Sequence, residues 1–190
     1  WMPLVLAISA LQMVTNGVFF MMPTQLPFLF QSQGLNSALM TGAGLGLLSL
    51  CGGITALFYG WLKAQLSHAA IFAAGYALFA AGLMVLAQEG SALLSLIGAM
   101  AVGAGYATVS PGFVAIALAL APAARRGTAA AILTASVFLG QFLSPFVSTP
   151  AIARWGYGDT FAAAALLVLA LSAASLIVAL RHHSRRRAAP

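Results

Sequence analysis

The placement of the charged side chains constrains this chain more than any other feature. Residues 1–62 carry no charge at all. Charge then appears at Lys63, at Glu89, at Arg125 and Arg126, at Arg154 and Asp159, and in the tail from Arg181 to Arg187. Every one of these positions is a gap between long apolar runs. A charge at the centre of a bilayer costs about 2.5–3.5 kcal/mol on the insertion scale, so a chain that crosses hydrocarbon repeatedly must ration charge in this way. A soluble chain has no such reason. Ordinary soluble domains are roughly 25% charged; this one is 5% charged, with a mean hydropathy of +1.02. It cannot cover itself with a polar surface, and lipid is its solvent. The predicted fold class is all-α, a polytopic membrane protein.

One crossing takes about 20 apolar residues, and 190 residues hold six. The spans are predicted at about 4–30, 38–62, 69–87, 92–121, 128–152 and 160–180, followed by a basic tail over 181–190. The first two are separated by the polar turn from Gln31 to Asn36, with Asn36 or Ser37 as the cap of the second. Six spans make the gaps alternate between the two sides. Lys63, Arg125, Arg126, Arg181, Arg185, Arg186 and Arg187 then share one side, and Arg154 alone takes the other. The positive-inside rule puts the first group, and both chain ends, in the cytoplasm. Trp61, Trp155 and Tyr157 fall near span ends, where aromatic belts sit. The net charge of +6 is therefore a topology signal beside apolar runs, not a nucleic-acid footprint. Residues 1–17 have no positive leader before their apolar stretch. The chain opens on Trp1 and reads as a fragment that begins at or just inside a helix.

Polar residues inside the spans are the candidates for function. Gln12, Thr15 and Asn16 are three and four apart and share one helical face. An amide in hydrocarbon is expensive unless paired, so that face looks inward. It is either the polar wall of a substrate cavity or a set of interhelical hydrogen bonds. Pro23 and Pro27 are expected to kink the end of span one, with Gln25 between them in a gating or bending role. Span four offers Tyr106 and Ser110 as cavity residues and the pair Pro111–Gly112 as a bend of the kind that lines transporter cavities. In span five, Gln141 is the most polar residue and a candidate for lining a pathway. Small residues recur at four-residue spacing at Gly42 and Gly46, at Ala73, Ala77 and Ala81, and at Ala99, Gly103 and Ala107. Such rows let helices approach closely in lipid.

The interiors of the spans contain no Asp, Glu, Lys, Arg or His. A proton relay or ion-coupling carboxylate normally needs one, so coupling chemistry is expected outside this segment. His182 and His183 read as solvated tail, and the lone Cys51 as a small buried residue. No nucleophile elbow, metal-ligand spacing or phosphate loop is present, so no catalytic residue, metal or cofactor is assigned, and the chain is not expected to be an enzyme.

Several runs carry a family resemblance. The segment from Met22 through Pro23, Thr24, Gln25, Leu26 and Pro27 to Phe28 resembles the end of the seventh helix of bacterial major facilitator superfamily transporters. The stretch Ala121–Ala129, with Pro122, Arg125, Arg126 and Gly127, resembles their basic loop between helices ten and eleven. Trp155, Gly156 and Tyr157, followed by Phe161, resemble the start of helix twelve. One motif departs. In the loop after the eighth helix Gly60 and Leu62 fit, but Ala64 replaces the expected aspartate, and Ser67 and His68 replace the glycine and the basic residue.

The resemblance implies the C-terminal half of a twelve-helix transporter, built as two inverted three-helix repeats. Its implied partners are the missing N-terminal six-helix half, a small-molecule substrate and the bilayer of the cell inner membrane. The implied activity is proton-coupled efflux of a drug or metabolite by alternating access. The alternative is a complete six-helix protein that dimerises as a channel or half-transporter.

Overall fold

A computed structural model describes residues 1–35 and 38–187, with side chains up to Arg181. The capping positions Asn36 and Ser37 and the side chains of His182, His183 and Arg185–Arg187 lie outside the described residues. The described residues form helices and connecting turns, without strands. Helix α1 spans Met2–Ser32, α2 Ala38–Leu57, the short α3 Tyr59–Gln65, α4 His68–Leu86 and α5 Ala92–Leu120. A single 3-10 turn, Ala123–Arg125, leads into α6, Arg126–Arg187.

Five of these helices are long and apolar enough to cross a membrane. The fifth, α6, is two crossings in one. At Gly156 the backbone leaves helical geometry with φ 81° and ψ 174°, a left-handed conformation that glycine adopts without strain. The chain reverses there. The first limb, residues 126–155, runs alongside α1 in the same direction: Ala129 packs near Val5, Val137 meets Asn16, and Ser148 meets Gln25. The second limb runs back against α4, with Gly158 beside Glu89 and Ser172 beside Ala73. The sequence predicts a loop over 154–159; in the structure the backbone leaves helical dihedrals at Gly156 alone, between two helical limbs.

Two further differences are local. The predicted span 38–62 divides between two helices, α2 and α3, because a tight turn bonds Phe58 N–H to Thr55 O (3.1 Å) before α3 begins. Helix α1 stays helical through Pro23 and Pro27. There Thr24 Oγ1 donates to Phe20 O (2.8 Å) and Met21 O (3.1 Å), a back-bonding pattern that bends helices rather than breaking them.

The order of contacts defines the topology. Helices α1, α4 and the first limb run one way; α2, α5 and the second limb run the other. The set α1–α2–α4 is thus repeated, upside down, by α5 and the two limbs of α6. Lys63, Arg125, Arg126, Arg181 and the start of α1 lie at one end of the bundle, and Glu89, Arg154 and Asp159 at the other. Serines begin α4 and α5: Ser67 Oγ accepts from Ala70 N–H (3.2 Å) and Ser91 Oγ from Leu94 N–H (3.4 Å), filling donors that helix starts leave open.

The core is apolar and centred on α4 and α5. Tyr76, Phe79, Leu83, Val102, Val109 and Phe113 are fully buried. Glycines set the approach. On α4 they stand at 75 and 82, and on α5 at 98, 105 and 112, seven residues apart, so each row stays on one helix face. A Cβ on Gly82 would sit 2.7 Å from Val102 N, and one on Gly98 2.7 Å from Leu86 Cγ. The rows expected from four-residue spacing fare differently. Gly103 abuts the Leu48 carbonyl of α2, but Ala77 and Ala81 face outward, and Gly42 and Gly46 meet nothing.

Candidate functional site

Polar side chains from the midpoints of three helices meet one another and a backbone carbonyl of a fourth. Asn16, halfway along α1, is completely buried. Its Nδ2 donates to the Val137 carbonyl of the first limb (2.6 Å), and its Oδ1 accepts from the Tyr106 hydroxyl of α5 (2.7 Å). Its neighbour Thr15, also fully buried, donates to Leu11 O (2.9 Å) and shares a hydrogen bond with the Tyr76 hydroxyl of α4 (2.7 Å). Two adjacent residues of α1 thus tie it to three neighbouring helices at one depth. Unpaired, these groups would each cost about 1–3 kcal/mol in a buried site.

Tyr106 is the centre of the cluster. Phe19 stacks on its ring at 3.9 Å, with planes 15° apart. The side chains of Ser110 and Gln12 both approach its hydroxyl. Gln12 is 2% exposed, and its Oε1 makes no hydrogen bond among the described residues. One turn earlier on the same face, Ser9 is 3% exposed and its Oγ is equally unpaired. Both atoms lie on the α1 face that carries Asn16, and they are two of five buried side-chain polar atoms without a partner among the described residues. Beside the cluster is a cavity of about 280 Å³, lined by Phe19 of α1, Ser49 and Gly53 of α2, and Tyr106, Ser110 and Pro111 of α5.

Of the residues singled out in the sequence, Gln12, Thr15, Asn16, Tyr106 and Ser110 come together here. Tyr106 and Ser110 line the cavity; Thr15 and Asn16 stand behind it as interhelical ties. Gln141 is half-buried on the first limb, apart from this cluster, and makes no hydrogen bond among the described residues. Helix α5 continues unbroken through Pro111, and Gly112 lies against the Phe72 ring, where its missing side chain lets α4 approach. Gln25, flanked by Pro23 and Pro27, donates to Ser148 Oγ (3.0 Å) and Thr149 Oγ1 (3.1 Å). Those acceptors lie between Pro145 and Pro150, so one amide joins the two stretches of the bundle that each carry a pair of prolines.

Sequence reasoning missed Phe19, Tyr76 and Ser9. An aromatic within an apolar run carries no sign of what its ring or hydroxyl meets. Ser9 did offer a signal, standing three residues before Gln12 on the same face.

The fold and this mid-depth cluster define a class: a multi-pass, all-α membrane protein of two inverted three-helix repeats, with its polar groups gathered at the level where the helices cross. Comparison with known proteins makes the class specific. The profile of the Major Facilitator Superfamily matches residues 1–190, and the chain belongs to that family of membrane transporters. Among solved structures it is similar to a mutant of the peptide transporter POT in complex with alafosfalin, with a TM-score of 0.73 at 21% sequence identity. That match covers 90% of this chain and 37% of the transporter, so the likeness is one of fold, to part of a longer protein. No curated protein sequence matches the chain.

Proposed function

We propose that this chain is the C-terminal six-helix half of a secondary transporter that moves a small molecule across the cell inner membrane by alternating access. The observation that carries the reading is the polar cluster at the midpoints of α1, α4, α5 and the first limb, beside a cavity bordered by α1, α2 and α5. Secondary transporters hold substrate near the bilayer midplane at a repeat interface. The cavity walls are Tyr106, Ser110, Phe19 and Ser49, with Gln12 offering a free carbonyl acceptor close by. This set stacks and hydrogen-bonds an uncharged or weakly polar molecule and offers no counter-ion to a strongly charged one.

The transport cycle is proton-coupled efflux of a drug or metabolite. The spans hold no ionisable carboxylate, amine or imidazole in their interiors, so the coupling residue belongs to the N-terminal six-helix half that completes the cavity. The basic end of the bundle faces the cytoplasm, following the positive-inside rule. Transport by the full-length protein in proteoliposomes tests the reading. Export of an uncharged aromatic compound should stop when the proton gradient is collapsed, and Tyr106→Ala or Gln12→Leu should weaken substrate affinity while leaving proton coupling in place. Gradient-independent flux, or uptake of a charged nutrient, overturns it.

A further inference from the structure

A second cavity, of about 430 Å³, lies between α1 and the two limbs of α6, on the other side of α1 from the Tyr106 cluster. Its walls are apolar, with Met13 and Val18 from α1, Leu143 and Val147 from the first limb, and Ala164 and Leu167 from the second. Three hydroxyls reach it, and each is already engaged inside the protein. Ser144 donates to Gly17 O (2.7 Å), Ser148 accepts from Gln25 Nε2 (3.0 Å), and Thr160 donates to Gly156 O (2.7 Å). No polar occupant is called for along its length.

The groove has a direction. It begins at mid-depth beside Gly140 and ends at Trp155 and Thr160, next to the reversal of the chain. Fifteen residues of helix separate Gly140 from Trp155, about 22 Å at 1.5 Å per residue. Half a bilayer including headgroups is about the same, since the whole is about 40–45 Å thick. Trp155 is 56% exposed, as an interfacial anchor is. Arg154 lies beside it, exposed, three and seven residues after Ala151 and Val147 and so on their helix face. It is the one Lys or Arg at this end of the bundle among the described residues, and no carboxylate there pairs with it. An apolar slot half a membrane deep, with an exposed arginine next in sequence to the tryptophan at its end, matches one kind of molecule in its length, polarity and charge.

We propose that this groove is a phospholipid site: one acyl chain lies between α1 and the limbs of α6, and the phosphate rests on Arg154. The site is separate from the transport cavity and holds whatever the transported molecule is.

The test is photolabelling of the full-length protein in phosphatidylcholine nanodiscs doped with a phosphatidylglycerol that carries a diazirine midway along one chain. Adducts are expected on the groove faces of residues 13–21 and 143–151. Ala164→Phe, which fills the slot, should reduce them more than about tenfold, given about 0.8 kcal/mol for each buried methylene. Arg154→Gln should reduce them about fivefold, the weight of one cation near a membrane surface. Leu169→Phe, on the outer face of the second limb, should change nothing. Where Ala164→Phe fails to fold, Ala151→Phe fills the same slot from the other limb. Labelling spread over Leu166, Leu169 and Leu176 and insensitive to both fillings overturns the site. So does an unlabelled groove, which would mean that a second copy or the other half of the transporter covers it. Equal labelling by a diacylglycerol bearing the same diazirine overturns the assignment of the phosphate to Arg154.

Discussion

The α4–α5 seam and the seam between α1 and the first limb of α6 both bring helix backbones into contact, with different chemistry. Between α4 and α5 the joint is apolar. Glycines at 75, 82, 98, 105 and 112 are each filled from the opposite helix by Phe72, Phe79, Leu86, Val102 or Val109, and no side-chain hydrogen bond crosses it among the described residues. The α1–limb seam closes tightly at one point, where Gly140 abuts the Met13 carbonyl. Beyond that it is laced by Asn16, Ser144 and Gln25, and four prolines interrupt its two helices. A packed glycine row has one register and no alternative. Hydrogen bonds within a membrane average about 0.6 kcal/mol and can be exchanged, and a proline leaves a carbonyl unpaired. The first seam makes α4 and α5 one body; the second is a joint that can be remade.

The contrast breaks most readily at Gly105. A Cβ there would sit 2.7 Å from Phe79 Cα and 2.8 Å from Gly75 O. Gly105→Ala should therefore destabilise the bundle by about 1–3 kcal/mol or more, read as a lowered thermal unfolding midpoint in detergent. Gly17→Ala, whose nearest neighbour would be Gly140 O at 3.3 Å, should do clearly less; equal losses would abolish the distinction. Asn16→Leu comes next. It removes the two bonds that tie α1 to Tyr106 and to the Val137 carbonyl, for about 1–3 kcal/mol in total, and transport should fall with stability. Gln25→Leu should cost only about 0.6–1.7 kcal/mol. Its signature is mechanical: spin labels at the Glu89 end of α1 and of the first limb should show a broadened distance distribution, and an unchanged one would make the Gln25 bonds incidental. The smallest effect belongs to Gly42→Ala and Gly46→Ala, which meet open space. In this chain alone they should fall within about ±0.5 kcal/mol. A larger loss in the full-length protein would locate a surface covered by the proposed N-terminal half.

Much of this architecture was legible in the sequence, and for one reason. The energetic penalty on charge in hydrocarbon keeps Lys63, Glu89, Arg125 and Arg154 to the ends of the bundle and so marks a multi-pass helical fold. Inward-facing amides were legible for the same reason, and five of the six residues named as cavity candidates do cluster. Pairing was not legible. Ala73, Ala77 and Ala81 have the spacing of a packing row, yet two of them face outward, whereas the glycines that hold α4 to α5 repeat every seven residues and were passed over. Both helices are small-residue-rich on more than one face, and only the partner decides which face is used. Tyr76 and Phe19 stayed hidden because an aromatic in an apolar run announces burial and nothing of its neighbour. The break at Phe58 has no proline or glycine to mark it.

Glu89 is one of only two acidic residues in the chain, and its carboxylate is committed to a backbone. It accepts from Gly158 N–H at 2.6 Å, just past the reversal at Gly156, from a turn in which Glu89 itself takes a positive φ of 46°. The bond ties the α4–α5 turn to the second limb at the end of the bundle opposite Lys63, Arg125 and Arg126, and Ser172 Oγ ties the second limb to α4 again through Ala73 O (2.7 Å) further along. With ties near both ends of that seam, α4 and the second limb are laced together like a corset, and any rearrangement of the bundle falls to the seam of α1 with the first limb, whose bonds can be exchanged.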